Sequence, residues 1–114
     1  MNDIRLLIEE IKLLVERNIA LNHFVLDQLS ERFSKNTYFI EQIYQILLRN
    51  KALLPYFYDI EAAIYEYIVH EEMENARTYY GATKYVAEQF DTTQTYIKSK
   101  IKQSKIVFPL QKIS

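Results

Sequence analysis

The chain has 114 residues, enough for one small domain or for a domain with an oligomerising arm. Its 49% apolar and 25% charged residues are the ordinary balance of a globular protein. A single glycine and two prolines disfavour β-hairpins, whose turns need residues that tolerate positive φ, and favour an all-α fold of helices joined by short turns.

There is no cysteine, which excludes a disulfide framework and a thiolate metal site and fits a cytoplasmic protein. After Met1-Asn2-Asp3, charges interrupt the apolar residues every few positions, so neither a signal peptide nor a membrane span is expected at the N-terminus. The net charge of −1 conceals an asymmetry. Residues 1–83 carry 8 Lys/Arg against 13 Asp/Glu, whereas residues 84–114 carry 6 Lys against Glu88 and Asp91. A basic end on an acidic chain points toward a polyanion.

Asn2 or Asp3 caps a first predicted helix that runs to about Ser34. Heptads set it out with Ile4, Ile11, Asn18 and Val25 at a, and Leu7, Leu14, Leu21 and Gln28 at d. β-branched residues at a with leucine at d favour a parallel two-stranded coil, and one asparagine at a fixes its register. Dimerisation through Ile4, Leu7, Ile11, Leu14, Asn18, Leu21 and Val25 is the expectation. Ile8, Val15 and Leu29 at e, with Leu6 and Leu13 at c, widen the apolar surface beyond a simple coil. The helix therefore either dimerises and carries the rest of its own subunit, or is a long core helix of a monomeric bundle with Asn18 in solvent.

Ser34 to Thr37 reads as a turn ending in an N-cap, followed by a helix from about Tyr38 to Arg49 with Phe39, Ile43, Ile46 and Leu47 inward. Asn50 ends it, and Pro55 suits the first turn of a third helix. That helix carries the apolar stripe Ile60, Ile64, Tyr67 and Ile68 and an outer acidic face of Asp59, Glu61, Glu66, Glu71, Glu72 and Glu74. The tyrosine-rich acidic segment 56–80 is a poor place to attract phosphate, and is either a solvated face or a surface for a protein partner. Gly81 suits a left-handed cap or a sharp turn, and the boundary falls there. Residues 1–80 then form a helical oligomerisation domain and residues 81–114 a separate segment.

Ala82 to Phe90 reads as a short helix, Asp91 to Thr93 as a turn, and Thr93 to about Gln103 as a second helix with Ile97 and Ile101 on its buried side. The stretch YVAEQFDTTQTYIKSKIKQSKI resembles the helix-turn-helix of excisionase-like and MerR-like DNA-binding proteins over residues 82–106. It departs from that pattern at Asp91, where a turn glycine is usual, at Thr92, where an apolar residue is usual, and at Lys100, where a buried side chain is common. Aspartate tolerates the left-handed conformation better than most residues.

The resemblance implies a second helix lying in the major groove of double-stranded DNA. Thr93, Gln94, Thr95, Lys98 and Ser99 would read bases, and Lys84, Lys100, Lys102 and Lys105 would contact phosphates. It also implies a minimal wing in residues 106–114, although Pro109 argues against a central strand and the segment is equally well a packed tail. A homodimer through the first helix would read two half-sites about 34–36 Å apart, centre to centre. The expected function is that of a sequence-specific DNA-binding protein, either a transcriptional regulator or a recombination or replication accessory. The alternative is a helical interaction module that binds protein and no nucleic acid.

Nothing in the spacing proposes an enzyme, a cofactor or a metal. His23 and His70 lie far apart, and Glu66 with His70 supplies two ligands where a dedicated site needs three or four. Gly81 stands alone, so there is no glycine-rich phosphate loop.

Overall fold

A computed structural model of the chain describes residues 4–56 and 59–103. These residues form six α-helices and one 3-10 helix, with no strand among them. The chain divides into two compact units, one holding the residues to Leu54 and the other beginning at Pro55.

In the first unit, α1 (Ile4–Glu16) and α2 (His23–Phe33) both pack on α3 (Thr37–Arg49). A 3-10 helix (Lys51–Tyr56) follows α3 and runs across the division between the units. The expected continuous helix to Ser34 is thus two helices. Asn18 is the reason. It adopts the left-handed conformation at φ 57°, and the Asn18 and Ile19 N–H groups donate back to the Val15 and Leu14 carbonyls. This pair of bonds is a Schellman closure. Asn22 then starts α2, its Oδ1 accepting from the Val25 N–H at 2.9 Å. Asn18 is therefore a helix stop, not a buried a-position, and its Oδ1 accepts from the Lys51 ammonium.

The residues expected to make a dimer divide accordingly. Ile4, Leu7 and Ile11 are 2%, 0% and 0% exposed, in the core of their own unit with Ile8 and Val15. Leu14 and Val25 are half-buried along an open cavity of about 530 Å³ between α1 and α2, rimmed by a paired Glu10 and Arg32. Leu21 lies in the α1–α2 turn. Leu6 and Leu13, seven residues apart on α1, stay exposed.

The second unit consists of α4 (Ile60–Glu74), α5 (Tyr79–Gln89) and α6 (Gln94–Gln103), and each of the three packs on the other two. Asp59 caps α4 through its Oδ1 and the Ala62 N–H, 3.1 Å apart. From Ile60 to Tyr65 every residue of α4 is buried, including Glu61 at 3% exposure. That corrects the acidic outer face: Glu61 points inward. The α4–α5 turn closes on Ala76 at φ 73°, where the Arg77 and Ala76 N–H groups return to the Glu72 and Met73 carbonyls. Gly81 marks no turn. Thr78 caps α5 through Oγ1 and the Gly81 N–H at 3.0 Å, so Gly81 lies inside a helix that begins at Tyr79. The expected boundary at residue 81 would cut α5.

Candidate nucleic-acid interface

The connection between α5 and α6 is local chemistry of four residues. Phe90 ends α5 and is fully buried, its ring edge-on to Tyr65 with centroids 4.8 Å apart. Asp91 takes φ 51°, the left-handed conformation for which glycine is the usual choice, and the Thr92 N–H closes onto the Ala87 carbonyl at 2.9 Å. Aspartate at the usual glycine position therefore serves the turn. Thr93 caps α6, its Oγ1 accepting from the Tyr96 N–H at 3.1 Å.

Two sets of contacts hold α6 in its groove between α4 and α5. On the α5 side, the Gln94 amide donates to the Tyr80 carbonyl at 3.1 Å and to Thr83 Oγ1 at 2.9 Å. Thr83 is buried and also donates into the backbone of its own helix at Tyr79 and Tyr80. On the α4 side, Glu61 accepts from the Tyr65 hydroxyl at 2.6 Å and from the Tyr96 hydroxyl at 2.8 Å. Lys100 lies 3.2 Å from Asp59 Oδ2 and 3.5 Å from Glu61 Oε1. Ile97, on the same side of α6, is fully buried.

The electrostatics fix the protonation of this cluster. Burial, then the hydrogen bond and charge of Glu61, push the Tyr65 hydroxyl far above its ordinary range. The same causes raise Tyr96, against the opposing pull of Lys100. Burial works against the charge of Lys100, but its hydrogen bond to Asp59 and the charges of Asp59 and Glu61 outweigh burial and hold it above its ordinary value. Two neutral phenols and an ammonium thus face the two carboxylates at neutral pH. This cluster fastens helices together.

Of the residues expected to read bases, the structure brings Thr95, Lys98 and Ser99 to the outer side of α6, Thr95 and Ser99 exposed and Lys98 half-buried. Thr93 is exposed but serves as the cap, and both donors of Gln94 are turned inward. Of the expected phosphate contacts, Lys84 on α5 and Lys102 on α6 are exposed. Lys100 is engaged in ion pairs with Asp59 and Glu61, with 23% of its side chain exposed. Lys105 and the expected wing lie outside the described residues. The described part of α6 carries three lysines and no acid.

Sequence reasoning missed Glu61, Tyr65, Thr83 and Tyr80 as members of this assembly. The signal for Glu61 was available: it is the one acid in the run Ile60 to Tyr65, so its neighbours bury it, and Tyr65 lies four residues on, one helical turn away. The acidic segment divides likewise, with Tyr65 and Tyr67 buried and Tyr56, Tyr79 and Tyr80 exposed. His70 and Glu66 approach only to 3.9 Å, at the surface.

Comparison with protein-family models, with curated proteins and with solved structures finds no match for this chain.

Proposed function

We propose that the second unit binds duplex DNA, with α6 as the helix that enters the major groove. The observation that carries this is the division of α6: Gln94, Tyr96, Ile97 and Lys100 face α4 and α5, while Thr95, Lys98, Ser99 and Lys102 face outward with no acid among them. A helix fixed along one side by polar contacts to its neighbours can present the other with little ordering cost on binding. Thr95, Lys98 and Ser99 are the base-reading set, and Lys84 and Lys102 contact phosphates. Gln94 and Lys100 belong to the mounting of the helix instead. The protein then acts as a sequence-specific regulator or as an accessory to recombination or replication. If two copies combine on one DNA, the exposed Leu6 and Leu13 are better placed to mediate that contact than the buried Ile4, Leu7 and Ile11.

Fluorescence anisotropy of a labelled random-sequence duplex, titrated over a salt series, tests the proposal. Logarithmic affinity should fall linearly with logarithmic salt concentration, with a slope of roughly −0.9 per phosphate neutralised. Lys98→Ala with Lys102→Ala should weaken binding and flatten that slope without unfolding the chain. Absence of binding at low salt by the folded protein refutes it. In that event the exposed Phe24 (69%) and Tyr38 (70%) of the first unit favour a second function, a helical module that docks on another protein.

A further inference from the structure

Tyr80 is 63% exposed in the first turn of α5, yet two α6 residues hold it in place. Gln94 donates to its carbonyl at 3.1 Å, and the Lys98 ammonium lies over its ring, 5.6 Å from the centroid. A cation at that distance from a tyrosine face is within range of attraction to the ring. Lys98 is thereby drawn toward α5, to the edge of the outward face of α6. Lys84 follows Tyr80 by four residues and is exposed on the same side of α5. The nearest acid further along that side is Glu88, two turns beyond Tyr80. The Lys98–Tyr80 contact and the four-residue spacing of Tyr80 and Lys84 thus bring one hydroxyl and two ammonium groups to one margin of the face proposed to enter the groove.

We infer that this cluster grips one backbone phosphate of the bound duplex, with Tyr80 Oη as a neutral donor beside the two lysines. The inference rests on the proposed DNA-binding function and goes beyond it, because it adds a residue of α5 and moves Lys98 from base reader to phosphate ligand. Phosphate contacts fix register along the duplex without reading sequence. A tyrosine held from both sides by α6 would transmit the position of the strand directly to the reading helix.

The hydroxyl and the lysines differ in one measurable respect. Neutralising a phosphate with lysine releases a condensed counterion and contributes to the salt slope, whereas a neutral donor releases none. Tyr80→Phe removes the hydroxyl, keeps the ring under Lys98 and alters a largely exposed position. It should weaken binding to the random-sequence duplex about 3- to 10-fold at every salt concentration with the slope unchanged. Lys84→Ala with Lys98→Ala leaves that phosphate without a cation, and should weaken binding and flatten the slope by about 0.9. Both losses should be equal on duplexes of different sequence. Tyr38→Phe, at an exposed position of the first unit, should leave binding as it is in the unsubstituted chain. If the unsubstituted protein binds and Tyr80→Phe binds equally well, the hydroxyl contact is overturned. A loss in Tyr80→Ala without one in Tyr80→Phe overturns it too, leaving the ring itself as the contact. Failure of the unsubstituted protein to bind refutes the DNA-binding function, a separate outcome.

Discussion

Replacing Glu61 by alanine should loosen the second unit more than any exposed substitution. The Tyr65 hydroxyl belongs to a fully buried residue and has Glu61 as its partner at 2.6 Å; stranding it costs about 1–3 kcal/mol. Tyr96 is half-buried and loses its 2.8 Å bond to a carboxylate, but water can reach it, so roughly 1 kcal/mol follows. Lys100 keeps Asp59 and loses the longer of its two contacts. The total, about 2–4 kcal/mol, overlaps the usual cost of removing one partner from a buried ionic cluster, about 3–5 kcal/mol. It is a large share of the ~5–15 kcal/mol that stabilises a domain. Two compact units need not unfold together, so hydrogen exchange of amides in α4 and α6 is the suitable assay. Protection there should fall by roughly 25- to 700-fold, at about tenfold for each 1.4 kcal/mol. Adding Tyr65→Phe and Tyr96→Phe to Glu61→Leu removes the stranded donors, and that triple variant should lose less than Glu61→Ala alone. Loss of under about 1 kcal/mol in Glu61→Ala would mean that the cluster is not what fastens α6.

Three further outcomes follow from the same geometry. Tyr65, Tyr96 and Lys100 all titrate above their ordinary values of 10.0, 10.0 and 10.5 when folded, so the stability they supply is complete below those values and is lost as pH rises through the raised ones. Denaturant melts on either side of pH 10 should show the second unit weakening on the alkaline side, and no alkaline decline would contradict the assignment. Ala76 sits at φ 73° without being glycine, and Gly81 sits in a helix where an added Cβ meets Thr78 Oγ1 at an ordinary 3.4 Å. Ala76→Gly and Gly81→Ala should each stabilise by about 0.5–1 kcal/mol in thermal melts, the first by relieving left-handed strain and the second by removing backbone freedom from the unfolded chain. Gln94→Ala should cost about 1–2 kcal/mol of stability, measured by the same exchange experiment, and should leave DNA sequence preference unaltered; a changed preference would return Gln94 to the reading set.

Helices were legible because their signals are local. The apolar spacing of Phe39, Ile43, Ile46 and Leu47 located α3, and Asn50 its end, without knowledge of what they pack against. Turns were harder, because asparagine has two uses that the sequence does not separate. At a heptad a-position it sets register, and in the left-handed conformation it ends a helix. Asn18 does the second, and Asn22, four residues later, begins the next helix. That paired stop and start was visible, but the heptad of Ile4, Leu7, Ile11 and Leu14 outweighed it. The glycine was misleading for the opposite reason. Four left-handed positions exist among the described residues, occupied by Asn18, Ser34, Ala76 and Asp91, and the lone glycine is at none of them. Closing bonds to the preceding turn hold these residues at φ values that glycine reaches without strain, so composition alone could not locate the ends.

The candidate site was half legible, and the boundary between the halves is physical. Burial of Ile97 follows from its own helix, and with it the outward placement of Thr95 and Lys102. The roles of Gln94 and Lys100 depend on what α4 and α5 place opposite them, contacts 11 and 41 residues distant in sequence. No local pattern distinguishes a lysine that meets phosphate from one that meets Asp59. Lys100, at a position where the resemblance leads one to expect a buried side chain, carries an ammonium that α4 answers with a buried carboxylate and an N-cap aspartate. Changing Lys100 alone to leucine would leave Glu61 buried without its cation, so the two positions are coupled. Apolar residues at both, with the tyrosine donors removed, would be compatible with the same three-helix packing.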